Sequence, residues 1–290
     1  LPNNVNKLSF GIMFNRKLDK NVLPDNLKYL KFGYIFDRSI EYALPEKLEY
    51  LEFGRYFNRP IGQNILPNNL KYLKFGERFN QLIVLPDNLK NLTLGSHFKQ
   101  HSIVLPKNLK YLALGCHIPL NLPDGLTHLN YDCQFTNPNH YSFKLSLTIT
   151  HLTIDMVNVD FLKNLHHLPN LIYLKLRCVL GNVKNGTFPN TIKHLTVKSL
   201  CRNVSNVGLL PNKLTLLTFG YDQNFVFVPG YLPNTLTHLT LGFVYSKKLM
   251  RNAIPYTVVK IRHSQTYKYK RELYEILEEN KRLLREKVEK

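Results

Sequence analysis

Leu66-Pro67-Asn68-Asn69-Leu70-Lys71-Tyr72-Leu73-Lys74-Phe75-Gly76 is the stretch that decides how this chain folds, because the same phrase returns along its whole length. Copies open at Leu1, Leu23, Leu44, Leu66, Leu85, Leu105 and Leu122, and weaker or equal ones at Leu145, Leu168, Phe188, Leu210, Leu232 and Ile254. Neighbouring starts stand 17 to 23 residues apart. Spacing that regular marks a tandem array.

One unit has a simple physical logic. Pro67 fixes its own φ and, with Asn68 and Asn69, favours a tight turn onto a strand. Leu73, Lys74 and Phe75 alternate with the period of a half-buried strand. Gly76 is expected to end that strand by turning without strain. Phe79 then re-enters the core, and Ile83 and Val84 lead to the next Leu-Pro. No stretch between strands shows helical spacing, so the return segments are expected to be extended or irregular. A unit with one apolar face must cover it with copies of itself, which lays the strands side by side in a parallel sheet. Phe14, Phe36, Phe57, Phe79 and Phe98 each fall three residues after a glycine, as an aromatic spine through such a stack would.

A second motif follows the glycine: Phe14-Asn15-Arg16-Lys17-Leu18, Phe36-Asp37-Arg38-Ser39-Ile40, Phe57-Asn58-Arg59-Pro60-Ile61 and Phe79-Asn80-Gln81-Leu82-Ile83. The doubled motif resembles the FNIP repeat, a relative of the leucine-rich repeat, over residues 1 to about 263. The resemblance implies a right-handed, leucine-rich-repeat-like solenoid. The FNIP family is expanded in social amoebae and in giant viruses that infect amoebae, and its repeats often follow an F-box, which is not visible here. It therefore implies a substrate-recognition part of an F-box-type ubiquitin ligase if an F-box lies upstream. Phe98-Lys99-Gln100 keeps only the aromatic, and from Leu120 to Arg202 the Phe-Asn block is lost. Stacking is expected to bend or loosen there, with surface loops at 137–139 and 181–186. Leu168-Pro169-Asn170-Leu171 is one residue shorter in its turn, closer to an ordinary leucine-rich repeat.

The division is an array of about thirteen repeats over residues 1–263 and an amphipathic helix over 264–290. In that tail Leu273, Ile276, Leu277, Leu284 and Val288 fall at helical spacing, interrupted by Asn280. Two readings fit: a cap over the end of the stack, or a short coiled coil with Asn280 setting its register. The chain carries 39 Lys and Arg against 20 Asp and Glu, a formal net charge of +19, and the array holds 31 of the basic and 14 of the acidic residues. That excess suits phosphate or acidic protein surfaces. Cys116, Cys133, Cys178 and Cys201 show no metal or disulfide spacing, although Cys116 and Cys133 share a repeat position. No run of apolar residues is long enough for a membrane span. The chain begins inside a repeat, which implies sequence upstream, and intracellular, cytoplasmic residence is expected (the host cytoplasm if viral).

With Leu73 and Phe75 pointing inward, Tyr72 and Lys74 point outward. The first outward column contains Tyr29, Tyr50, Tyr72, Tyr111, His128, His151, Tyr173, His194 and His238, and the second contains Lys31 and Lys74. Tyrosine supplies broad contact area with a polar tip, so these residues form a candidate protein-binding face. Tyr and Thr also suit any exposed strand and pack on their neighbours, which is the competing reading. The other class of function is binding of nucleic acid or another polyanion through interleaved Lys and Tyr. His128 and His151, in adjacent repeats, lack the further ligands of a structural zinc site, so no metal is expected. No phosphate loop, metalloprotease helix or nucleophile elbow is present, and no cofactor or catalytic residue is assigned. The chain reads as a non-enzyme.

Overall fold

The computed structural model describes residues 2, 4–116, 118–132, 144–181, 183–200 and 208–288. Described residues before Thr150 form one compact unit and those from Thr150 onward a second. The first unit holds β1 (Lys7–Ser9), β2 (Tyr29–Lys31), β3 (Tyr50–Glu52), β4 (Tyr72–Lys74), β5 (Asn91–Leu94), β6 (Tyr111–Leu114) and β7 (His128–Tyr131). The second holds β8 (His151–Asn158), β9 (Tyr173–Leu180), β10 (His194–Leu200), β11 (Leu216–Phe219), β12 (His238–Thr240) and β13 (Lys260–Arg262). Within each unit the strands pair in chain order and in parallel. This is the leucine-rich-repeat-like solenoid read from the sequence, one strand per repeat.

The Leu-Pro turn aims each strand. The Leu70 N–H donates to the Pro67 carbonyl at 3.0 Å, and the same closure precedes β2, β3, β5, β6, β7, β11, β12 and β13. Before β9, where the turn is one residue shorter, Leu171 closes on Leu168 instead. Two successive N–H groups then converge on one carbonyl of the preceding repeat. Those of Lys71 and Tyr72 both donate to Glu49, at 2.9 and 3.0 Å. Register is thereby fixed before the strand begins.

Below the sheet, Leu30, Leu51, Leu73, Leu92 and Leu112 are fully buried, as are Leu152 and Leu174 in the second unit. The phenylalanines of the first unit form two files. The Phe75 and Phe79 rings stack within a repeat at 3.8 Å, and Phe53 stacks on Phe75 across repeats at 5.3 Å. Phe36, Phe57, Phe79 and Phe98 succeed one another 6.0 to 6.1 Å apart. Removing such a ring costs about 3–5 kcal/mol.

The glycines do something other than turn. None from Gly33 to Gly95 has positive φ. A Cβ on Gly33, Gly54, Gly76 or Gly95 would instead collide with the carbonyl of the glycine one repeat earlier. Glycine is required there because adjacent repeats meet backbone to backbone.

The asparagine of the second motif also has a defined task. Asn15 Oδ1 accepts from the Asp37 N–H at 3.0 Å, Asp37 Oδ1 from Asn58 at 3.0 Å, Asn58 Oδ1 from Asn80 at 2.9 Å, and Asn80 Oδ1 from Lys99 at 2.8 Å. Each repeat's side chain satisfies a return-segment amide of the next. Asn224 and Ser246 repeat this in the second unit.

The middle of the chain departs from expectation. β8, β9 and β10 do not loosen; they run eight, eight and seven residues. One described return segment carries an α-helix: α1 (Val159–Asn164) follows β8 and continues into a 3₁₀ turn at Leu165–His167. Asn158 caps it, accepting from the Phe161 N–H at 2.8 Å, and Leu162 and Leu165 are buried beneath it. Six residues are too few for periodicity to reveal. The expected loop at 137–139, and Cys133 and Cys201, lie outside the described residues, as does Asn182 of the other loop.

Helix α2 (Lys270–Val288) lies against β13. It buries Leu273, Ile276 and Leu277, and Asn280 donates to the Pro255 and Val258 carbonyls at 3.0 and 2.8 Å. The Lys287 ammonium sits 3.9 Å from the Tyr256 ring.

Candidate functional site

Because register is fixed by the turns, the outward columns align residue on residue. In the first unit Lys7 pairs with Tyr29, Tyr29 with Tyr50, Tyr50 with Tyr72, Tyr72 with Asn91, Asn91 with Tyr111 and Tyr111 with His128. The Tyr29, Tyr50 and Tyr72 rings form a slab with 4.2 Å between centroids, and the Lys7 ammonium closes its end 4.5 Å from Tyr29. Asn91 interrupts the slab. Tyr111 and His128 stand beyond it, 6.3 Å apart and tilted.

Charged side chains flank the slab with alternating sign. Lys31 and Lys74 reach Glu52 at 3.3 and 3.1 Å, while Lys28 and Lys71 reach Glu49 at 3.9 and 2.6 Å. Tyr50 ties the slab to one row, donating its hydroxyl to Glu52 at 2.7 Å. Burial pushes the Glu52 carboxyl up, but the Tyr50 and Lys74 hydrogen bonds and the lysine charges outweigh it and leave its pKa lowered. Burial, then the bond to Glu52, pushes the Tyr50 phenol up. The Lys71 ammonium holds Glu49 below its ordinary value. The lysines at β2 and β4 are therefore engaged with the carboxylates of β3. Glu49 and Glu52 were not among the expected site residues. Their sign alternation with Lys28, Lys71, Lys31 and Lys74 is readable once the repeats are aligned.

In the second unit Tyr173 lies between two histidines, stacked on His151 at 5.3 Å and edge-on to His194 at 6.3 Å. Burial, with His151 and Lys193 nearby, lowers the His194 pKa, so the ring is neutral at pH 7. Leu216 separates this trio from His238, the most exposed histidine of the column. A threonine precedes His128, His151 and His238, each 2.9 Å from the ring Nδ1. At Thr127 and Thr237 the hydroxyl donates to a carbonyl of the previous repeat, so its oxygen accepts from the histidine Nδ1–H. That selects one tautomer, with Nε2 the acceptor of the neutral ring. Among the described residues no three His, Cys, Asp or Glu are grouped as a metal site would need.

Residues 1–35, 14–56, 36–78, 57–84 and 79–117 match the FNIP Repeat family. No curated protein matches the chain. Among solved structures it is similar to CroV588, described as a novel circular leucine-rich-repeat protein structure and coming from a giant virus. The TM-score is 0.62 and the identity 28%, over 92% of this chain and 47% of that one. The chain thus spans about half the length of that relative. It is also similar to an internalin, InlF, of Listeria monocytogenes, with a TM-score of 0.52 and 13% identity over 91% of this chain and 82% of that one. The internalin bears on the fold alone.

Proposed function

From the premise that residues 1–117 are FNIP repeats in a leucine-rich-repeat-like solenoid, we propose that the chain is a non-catalytic protein-interaction scaffold whose partner docks on the strand face. The observation that carries this reading is the slab of Tyr29, Tyr50 and Tyr72. Its rings are ordered by each other, so a partner that covers them immobilises little that was free. Tyr111 and His128 continue that column in the first unit, and His151, Tyr173, His194 and His238 occupy the equivalent column of the second. No described helix is long and apolar enough to cross a membrane. Cys116, a buried free thiol whose pKa burial pushes up to about 12, suits an intracellular setting.

Glu49 and Glu52 each stand between two lysines, which halves the net positive charge of Lys28, Lys31, Lys71 and Lys74 and weakens the case for a polyanion on this face. The narrower role, substrate recognition within an F-box-type ubiquitin ligase, rests on family resemblance alone. Co-purification of ligase adaptor subunits with a longer chain is its test.

The strand-face reading is tested by affinity capture at low and high salt, comparing wild type with Tyr50→Ser/Tyr72→Ser/Tyr111→Ser. Proteins held by the wild type at high salt and lost from a still-folded variant support it. Unchanged capture moves the site off the sheet.

A further inference from the structure

Return segments of the first unit line an open groove of about 690 Å³ to which no strand residue contributes. The strand-face reading leaves it unused. Its rim carries the ladder of Asn15, Asp37, Asn58 and Asn80, and the ladder determines what the groove can offer. Each asparagine has turned Oδ1 to a backbone N–H of the next repeat, so the capacity left on these amides is the donor group Nδ2. Asp37, the one acid in the row, has its oxygens taken by the Asn58 N–H and by Arg59 at 2.8 Å. Beside them stand Arg78 and Lys99, neither paired with a carboxylate among the described residues. The groove is thus rich in donors and cations and poor in acceptors.

Its geometry narrows the ligand. The Arg78 guanidinium lies on the Tyr56 ring at 4.2 Å, which holds it in place while its in-plane edge remains able to grip a carboxylate with two parallel bonds. Tyr56 also packs at a steep angle on Tyr34, 5.3 Å away, so part of its surface is already taken and the groove offers less aromatic surface than a stacking platform for bases. From Asn15 to Lys99 the row crosses five repeats, about 19 Å at ordinary strand spacing, or roughly six residues of extended peptide. We propose that this groove binds an extended acidic segment of polypeptide, its carboxylates received by Arg78 and Lys99 and its remaining oxygens by the asparagine amides.

The test is fluorescence anisotropy with a labelled glutamate-rich peptide of about eight residues, its glutamine counterpart and an oligothymidylate of equal length. Preference for the glutamate peptide is expected, with binding weakened about tenfold or more in Arg78→Glu/Lys99→Glu. Lys20→Glu/Lys107→Glu, which changes net charge equally outside the groove, is expected to weaken it less than about threefold. Where charge reversal lowers the melting temperature, Arg78→Gln/Lys99→Gln replaces it. Equal loss in both double variants, equal binding of the glutamine peptide, or tighter binding of the oligonucleotide at Arg78 and Lys99 each overturns the proposal.

Discussion

Strands β2 to β4 and strands β8 to β10 share outward columns, buried leucines and parallel pairing, yet the first set is three residues long and the second seven or eight. The difference sits at one position, the fourth after the strand starts. In β2 to β4 it is Gly33, Gly54 or Gly76, and there adjacent backbones touch and the chain leaves the sheet into the Phe-Asn turn. In β8 to β10 it is Asp155, Arg177 or Lys198, and the ladder runs on through pairs such as Met156 with Cys178 and Val157 with Val179. Asp155 and Arg177 form an ion pair across that position, with the aspartate buried. A solenoid can therefore keep its register while one side chain decides how far each strand runs.

The strongest way to break the comparison is to attack what both regions share. Leu73→Asp puts an unpaired charge among buried leucines, a loss of about 3–5 kcal/mol or more. Circular dichroism should show the β signal of several neighbouring repeats disappearing together, and a purely local loss would mean that the stack is not cooperative. Next comes the position that separates the regions. Gly76→Val should cost about 3 kcal/mol by denaturant titration, since its Cβ falls on a backbone carbonyl. At the equivalent place Lys198→Val, on an exposed side chain, should cost less than about 0.5 kcal/mol. Equal costs would show that strand length is set elsewhere.

The smallest effect concerns the charged rows that only the first region has. Glu52 has a lowered pKa in the folded protein, so its contribution is present above its unfolded-state value near 4.3 and is lost as pH falls through the lower folded value. Stability of the wild type should fall by less than about 1 kcal/mol across that window, and Glu52→Gln should flatten this part of the profile. An unchanged slope would mean that the lysine–glutamate rows carry no net stabilisation.

The repeat phrase made the strand positions, their register and the outward columns legible, because Leu-Pro turns and inward leucines each have a single geometric use. The glycine was visible but its purpose was not: Gly76 looks like a turn residue in one repeat, and only stacking reveals that Gly54 lies against it. After Leu120 the Phe-Asn block and the strand-ending glycine are lost together, and that the second loss lets the strands run on is visible only when the backbones are stacked. Helix α1 escaped because its capping by Asn158 and burial of Leu162 depend on the lengthened β8 before it. On the strand face the tyrosine column was readable, whereas the acidic partners of Lys31 and Lys74 emerge only when three repeats are superposed.

Asn280 closes the turn before β13 in the way that neighbouring repeats close one another. In the repeats, a side chain such as Thr235 reaches back to the turn carbonyls of its predecessor, Asn212 and Leu214, at 2.8 Å. At the last repeat Asn280 does this from a helix, taking the carbonyls of Pro255 and Val258. The helix therefore holds the turn of Pro255 and Val258 by the same kind of contact that one repeat makes to another.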